Sequence, residues 1–408
     1  MIKINKEIVS NVFNYGLIEI ISLLIPIITL PILTRVLGGD VYGEYLLFIT
    51  ILIFGHTIID YGVQYTGVRK VSKYRNELSK IKEYYEDFQG VRWFLGTLYL
   101  LVTIIYAFLF LNESSFKYIV IFSPFYVVGY ILTSSWFFQA IGNTKQYMLA
   151  SLFARIINLL IIVFLVKENT DVIYLYAGST IPIFLSGVYL NIIIKVKYKT
   201  KLFSMCNLKT RLIKGSKVFI GILTPNLYNS LPSIVMGTVY NSKEFAIFII
   251  ATRICGIIGI LQSVLARSCY SFLSMSNKTY VKKLILANLL ISLPIVIPLL
   301  GFGGFFLNIF LGEAYSSNVY LSILLVGMVF LGISNAISEG YLLPNGYDKI
   351  FRNVSIKVSV ISLIVSIILI SHYGLLGGAI TLTCARFLYL MFFSFEYFKV
   401  KTLLSNVV

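Results

Sequence analysis

The sequence predicts an all-α integral membrane protein of about 12 transmembrane helices, built as two six-helix halves related by a parallel repeat around a central cleft. Three observations predict it. Hydrophobic residues make up 58% of the 408 residues and charged residues only 12%, with a mean hydropathy of +0.87; soluble domains run at about 45–50% and about 25%. Apolar runs long enough to cross a bilayer recur along the whole chain. Landmarks of the first half reappear in the second.

A crossing helix needs roughly 20 apolar residues, because every backbone amide must find its partner inside the segment where no water is available. Such runs fall near 12–33, 44–66, 91–111, 118–139, 148–166, 173–194, 218–238, 245–265, 284–305, 319–340, 355–371 and 374–395. The first lacks a small-residue cleavage pattern and is too long for a signal h-region, so it is expected to remain as a helix.

Orientation follows from basic residues, which resist translocation in short loops. With the N-terminus inside, 27 of the 34 Lys and Arg residues fall in 1–11, 67–92, 141–147, 195–217, 266–283, 341–357 and 396–408. Four (Arg35, Lys117, Lys167 and Lys243) fall outside, and three lie within spans. Both termini are therefore expected in the cytoplasm. This bias accounts for the net charge of +17 through anionic membrane lipids facing the inner loops. A nucleic-acid partner is not expected, since it would need a soluble basic face.

Cys206, Cys255, Cys269 and Cys384 show no CxxC spacing, and His56 and His372 have no neighbouring ligand set. Neither disulfide, metal nor cofactor is expected. No P-loop, G-x-S-x-G or HExxH occurs, so the chain is not read as an enzyme.

Shifting the chain by 204 residues lays 138–197 over 342–401 without a gap, with Gly142 on Gly346, Lys145 on Lys349 and Lys195-Val196-Lys197 on Lys399-Val400-Lys401. At a slightly smaller shift Leu30-Pro31 meets Leu231-Pro232. An even number of spans per half makes such a repeat parallel, and rocking of two halves about a cleft gives alternating access. The predicted organisation is 1–197, a basic cytoplasmic linker at 198–217, and 218–408. Pro26 and Pro31 in the first span and Pro225 and Pro232 in the seventh kink their helices. They are read either as hinges or as prolines of a kind common in membrane helices.

The segment Leu30-Pro-Ile-Leu-Thr-Arg-Val-Leu-Gly-Gly-Asp-Val-Tyr-Gly-Glu-Tyr45 resembles the opening hairpin of the polysaccharide and O-antigen flippases, the Wzx-type branch of the multidrug/oligosaccharidyl-lipid/polysaccharide exporter superfamily. Asp60-Tyr-Gly-Val-Gln64 with Val68-Arg69-Lys70, and Trp136-Phe-Phe-Gln139 with Lys145-Gln-Tyr147, are similar to the same family. The resemblance implies a cargo of undecaprenyl-pyrophosphate bearing an oligosaccharide (an O-antigen, lipopolysaccharide or capsule repeat unit), carried from the inner to the outer leaflet of a bacterial cytoplasmic (inner) membrane. Other polysaccharide-assembly membrane proteins are implied as partners, and H+ or Na+ as a coupling ion.

Three charges sit near the middle of predicted helices: Arg155, Arg253 and Arg386. Each costs about 2.5–3.5 kcal/mol even on the lenient insertion scale, so something must offset it. A planar guanidinium suits a pyrophosphate, which makes these three the substrate-binding candidates; an interhelical ion pair or a snorkelled side chain is the alternative. Asp60 and Glu19 are the ion-coupling candidates, since a carboxylate in a low-dielectric cleft can load a proton or sodium. Their alternative is to partner a nearby basic residue. Two other functions remain open: a drug or cation antiporter of the same superfamily, whose cavity would favour acids, and a membrane polysaccharide polymerase, which would need a longer basic outer loop than 306–317 offers.

Overall fold

A computed structural model of the chain describes residues 6–274 and 280–405; side chains at 6–20, 22–24, 26–27, 217, 263–264, 266–274, 314, 348 and 403–405 lie outside that description. The helices are α1 (Lys6–Asp60), α2 (Val63–Lys73), α3 (Leu78–Phe110), α4 (Glu113–Thr133), α5 (Ser135–Ala140), α6 (Thr144–Leu165), α7 (Val172–Tyr198), α8 (Leu208–Asn229), α9 (Leu231–Val239), α10 (Ser242–Ser274), α11 (Val281–Leu311), α12 (Val319–Ile337) and α13 (Asp348–Ser405). No strand occurs among the described residues.

Ten stretches among the described residues are long and apolar enough to cross a membrane. The two longest helices that supply them are interrupted at glycines: α1 at Gly38 (φ 71°, ψ 173°) and α13 at Gly374 (φ 58°, ψ −135°). At 1.5 Å per residue helices of this length would run about 80–90 Å, against a hydrocarbon core of about 30 Å. Each therefore holds material for two crossings, joined at a backbone conformation that glycine adopts without a Cβ penalty. The predicted seventh span is broken instead: α8 stops at Asn229, α9 starts at Leu231, and Pro232 occupies the first turn of α9, where its missing N–H costs nothing.

The chain forms two compact units, Met1–Leu223 and Thr224–Val408. In the first, α7 packs on α4 and α6, and α1 on α6, α3 and α4. In the second, α12 is central and packs on α10, α11 and α13. The outward faces are apolar: α3 exposes Leu98, Leu101, Val102, Ile105, Phe108 and Leu109. A continuous apolar exterior of this kind is what lipid, not water, solvates, and the chain is a multi-pass membrane protein.

The turn after α5 recurs. Gly142 N–H donates to Gln139 O (3.2 Å) and Asn143 N–H to Phe138 O (3.0 Å); Gly346 N–H donates to Leu343 O (3.1 Å) and Tyr347 N–H to Leu342 O (2.9 Å). Both glycines have positive φ, 71° and 79°. Donors and acceptors correspond at the same shift of 204 residues.

The segment after α7 is ordered against α3. Lys201 N–H donates to Glu86 Oε1 (2.7 Å) and Ser204 N–H to Glu86 O (2.9 Å). Arg211, already inside α8, pairs with the buried Asp87 at 2.7 Å, which Asn207 Nδ2 also reaches at 3.2 and 3.0 Å. Gly90 lets this strap approach: a Cβ there would lie 2.0 Å from Ser204 O.

Candidate functional site

The motif residues of the first unit turn out to be neighbours. Asp60 ends α1, and Tyr61 (φ 45°) and Gly62 (φ 77°) turn the chain into α2. A side chain on Gly62 would meet Val218 Cγ1 at 2.8 Å. Gln64 then donates to Gln139 Oε1 at 2.6 Å, while Arg75 Nη2 (3.0 Å) and Ser72 Oγ (3.1 Å) donate to the Ala140 carbonyl. Trp136, Phe137 and Phe138 of α5 are buried together with Tyr85, Phe88, Leu190 and Ile194. These motifs therefore build the junction of α2, α3, α5 and α7, and the aromatic run is core.

Asp60 is engaged. Arg92 Nε donates to its Oδ1 at 3.1 Å, and Tyr130 hydroxyl donates to its Oδ2 at 2.5 Å. Arg92 is 1% exposed and also donates to Gln89 Oε1 (3.0 Å), Ile131 O (2.7 Å) and Tyr130 O (3.0 Å). Arg92 lies inside α3, its cost offset by a carboxylate and by carbonyls freed at the end of α4. The Tyr130 ring stacks on His56 at 3.7 Å, and His56 Nε2 shares a hydrogen bond with Tyr126 hydroxyl at 3.0 Å. A polar line thus runs from Arg92 through Asp60, Tyr130 and His56 to Tyr126. Sequence reading missed Arg92, His56 and the tyrosines, although the spacing Gln89-x-x-Arg92 on one helix face was the available signal.

Arg155, on α6, is half-buried and acts electrostatically on Tyr126 at the far end of that line. It makes no hydrogen bond or ion pair among the described residues, and neither does the half-buried Arg253 of α10. Arg386, on α13, donates from Nη1 to Leu324 O of α12 at 3.1 Å and lies within electrostatic range of Tyr228 and Cys255. Gly327 makes room for it, since a Cβ there would sit 3.0 Å from Arg386 Nη1. A carbonyl partner does not cancel the charge. Among the described residues none of the three arginines meets a carboxylate.

Of the remaining candidates, Glu19 and Pro26 have side chains outside the described residues. Pro31 lies within α1, and the hydroxyl of Thr34, three residues on, donates to Leu30 O (3.0 Å) and Pro31 O (3.3 Å). Pro225 lies inside α8, four residues before that helix ends at Asn229. No group of three or more metal-ligating side chains occurs among the described residues.

The family described as polysaccharide biosynthesis protein matches residues 8–276. A proposed O-antigen transporter of Shigella dysenteriae is 24% identical over 395 residues, covering 94% of this chain and 98% of that protein. A second proposed O-antigen transporter, from Escherichia coli strain K12, is 22% identical over 389 residues, covering 91% and 92%. Among solved structures, an inward-facing multidrug resistance MATE family transporter of the MOP superfamily aligns with a TM-score of 0.72 at 14% identity, covering 95% of this chain and 96% of that one. The lipid II flippase MurJ, in an inward closed conformation, aligns with a TM-score of 0.69 at 14% identity, covering 94% and 87%. The chain therefore has the fold of these transporters.

Proposed function

Because the chain belongs to the polysaccharide biosynthesis protein family, we propose that it is a flippase that moves an undecaprenyl-pyrophosphate-linked oligosaccharide from the inner to the outer leaflet of a bacterial cytoplasmic membrane. The observation that carries this reading is the set of three guanidinium groups, Arg155, Arg253 and Arg386, that lie on apolar helices and meet no carboxylate among the described residues. A fixed charge without a carboxylate partner inside the membrane asks for an anion, and a pyrophosphate supplies one that matches the paired donors of arginine. The fold shared with a lipid II flippase and the two proposed O-antigen transporters support the same cargo class. The chemistry is transport: no bond is made or broken in the cargo.

The twelve-span plan, the two parallel halves with inward termini, and alternating access belong to this proposal. The breaks at Gly38 and Gly374 support the twelve-span plan, and the recurring turn at Gly142 and Gly346 supports the parallel repeat. Coupling to H+ or Na+ through Asp60 or Glu19 belongs to the proposal as well. The antiporter alternative would place an unpaired acid in the membrane, whereas Asp60 is held by Arg92 and Tyr130.

The test is a deletion strain in which the lipid-linked sugar is assayed on each leaflet. Accumulation on the inner leaflet, relieved by the intact gene, is the expected outcome. Normal outer-leaflet sugar with altered drug tolerance would replace the flippase by the antiporter.

A further inference from the structure

We infer that one face of α6 in the first unit, carrying Tyr147, Ser151 and Asn158, is a glycan subsite that recognises the hydroxyl groups of the oligosaccharide rather than the pyrophosphate. This inference rests on the flippase reading and deepens it.

Tyr147, Ser151, Arg155 and Asn158 follow one another at intervals of four, four and three residues, so each is the surface neighbour of the next on a single stripe of the helix. The stripe lies inside an apolar stretch long enough to cross a membrane, Thr144–Leu165. On the opposite side of the helix, at about 3.6 residues per turn, stand Leu149, Phe153, Ile156, Leu160 and Phe164, all apolar and 47% to 65% exposed. That side meets lipid. The polar stripe therefore faces protein, yet all four of its side chains are only half-buried. Polar side chains that point away from lipid without being packed shut border a space open to solutes.

The surroundings of the stripe are polar as well. Asn158 Nδ2 donates to Ser179 Oγ of α7 at 3.4 Å, and Ser179 Oγ lies 2.6 Å from the Tyr45 hydroxyl. Tyr147 and Arg155 act electrostatically on Tyr130 and Tyr126 of α4. Ser151 differs from other hydroxyl residues of this unit: Thr50, Ser179 and Thr180 each donate to the carbonyl four residues back, whereas Ser151 makes no hydrogen bond among the described residues.

In the second unit the corresponding face is closed. The shift of 204 residues lays Ser355 on Ser151, Ser359 on Arg155 and Ser362 on Asn158, and these three serines are 8%, 1% and 1% exposed. The opening is thus particular to the first unit and is not imposed by the position of the helix in the repeat.

The chemistry of the stripe selects its ligand. A hydroxyl both donates and accepts, and a side-chain amide offers an atom for each role. Sugar hydroxyls have the same double character, whereas the ionised oxygens of a pyrophosphate only accept. No acid lies on the stripe, so a drug cation or a metal ion finds no counter-charge on it. Arg155, between Ser151 and Asn158, keeps the sugar beside the charge that the pyrophosphate answers.

The experiment measures equilibrium binding to the purified full chain in detergent, with two probes: undecaprenyl pyrophosphate bearing the repeat unit of the source organism, and bare undecaprenyl pyrophosphate. The wild-type chain is expected to prefer the sugar-bearing carrier. Ser151→Ala combined with Asn158→Ala should lower that preference about tenfold, the loss of two neutral hydrogen bonds, while Ser359→Ala combined with Ser362→Ala should leave it unchanged. Ser151→Ala alone, which removes no hydrogen bond from the folded chain, should lower it about threefold and keeps the test decisive where the double variant does not fold. A preference untouched by the α6 substitutions would overturn the inference, as would an equal loss of affinity for both carriers or an equal fall in the Ser359 and Ser362 variant. These failures leave the flippase reading standing, whereas binding of neither carrier by the wild-type chain would overturn that reading and the subsite with it.

Discussion

Arg92 Nε lies 3.1 Å from Asp60 Oδ1, joining two helices through a guanidinium that is 1% exposed. Removing one partner of a pair buried at the arginine and a quarter exposed at the aspartate strands the other and costs at most about 3–5 kcal/mol, whereas removing both costs much less. Asp60→Asn and Arg92→Gln alone should each lower membrane abundance and unfolding midpoint, and the double variant should recover part of the loss. If Asp60 also carries a coupling ion, the double variant will be folded but will not flip. Additive losses in the double variant would dissolve the pair.

Arg253 has no such partner among the described residues, so its truncation should not unfold the protein. Arg253→Ala is expected at normal abundance with surface polysaccharide abolished, and Arg253→Lys, which keeps the charge but loses the fork, with a partial phenotype. Normal polysaccharide in the alanine variant would end the cargo assignment for this residue.

The strap between α7 and α8 depends on Asp87 and Arg211. Arg211→Ala should free residues 199–207 and raise cleavage by trypsin at Lys199 and Lys201 in inside-out vesicles. Unchanged cleavage would mean that the backbone bonds to Glu86 hold the strap without the ion pair.

At Gly346 an added Cβ would touch nothing within 4 Å, so its substitution tests backbone conformation alone. Gly346→Ala and Gly142→Ala should each cost about 1–2 kcal/mol, the cost of a left-handed L-residue. Gly221→Ala, in the helical interior of α8 with equally open surroundings, should stabilise by up to about 1 kcal/mol. Melting midpoints of the three variants check the contrast.

Cysteines at Ser114 and Ser317, both exposed, should react with an impermeant thiol reagent from outside the cell, and the exposed native Cys206 should not. Ser114 is preferable to Asn112, whose side chain caps α4 by accepting from Ser115 N–H at 2.8 Å. Labelling of Cys206 from outside would reverse the inferred orientation.

Run length and hydropathy were enough to read membrane helices from the chain, because hydrocarbon permits no unpaired backbone and so writes its demand into every 20-residue window. The two left-handed glycines 204 residues apart were also readable, as coincident letters. The family motifs were visible too, but their work was not: that Gln64 reaches Gln139, and that Trp136 is core, depends on α2 folding back onto α5. The charges were the least legible part. Arg92 and Arg155 look alike in sequence, both basic residues in or beside an apolar run. Only the folding of α1 and α4 against α3 brings a carboxylate and two free carbonyls to Arg92 and none to Arg155. Hydrogen-bond satisfaction is a property of neighbours in space rather than along the chain.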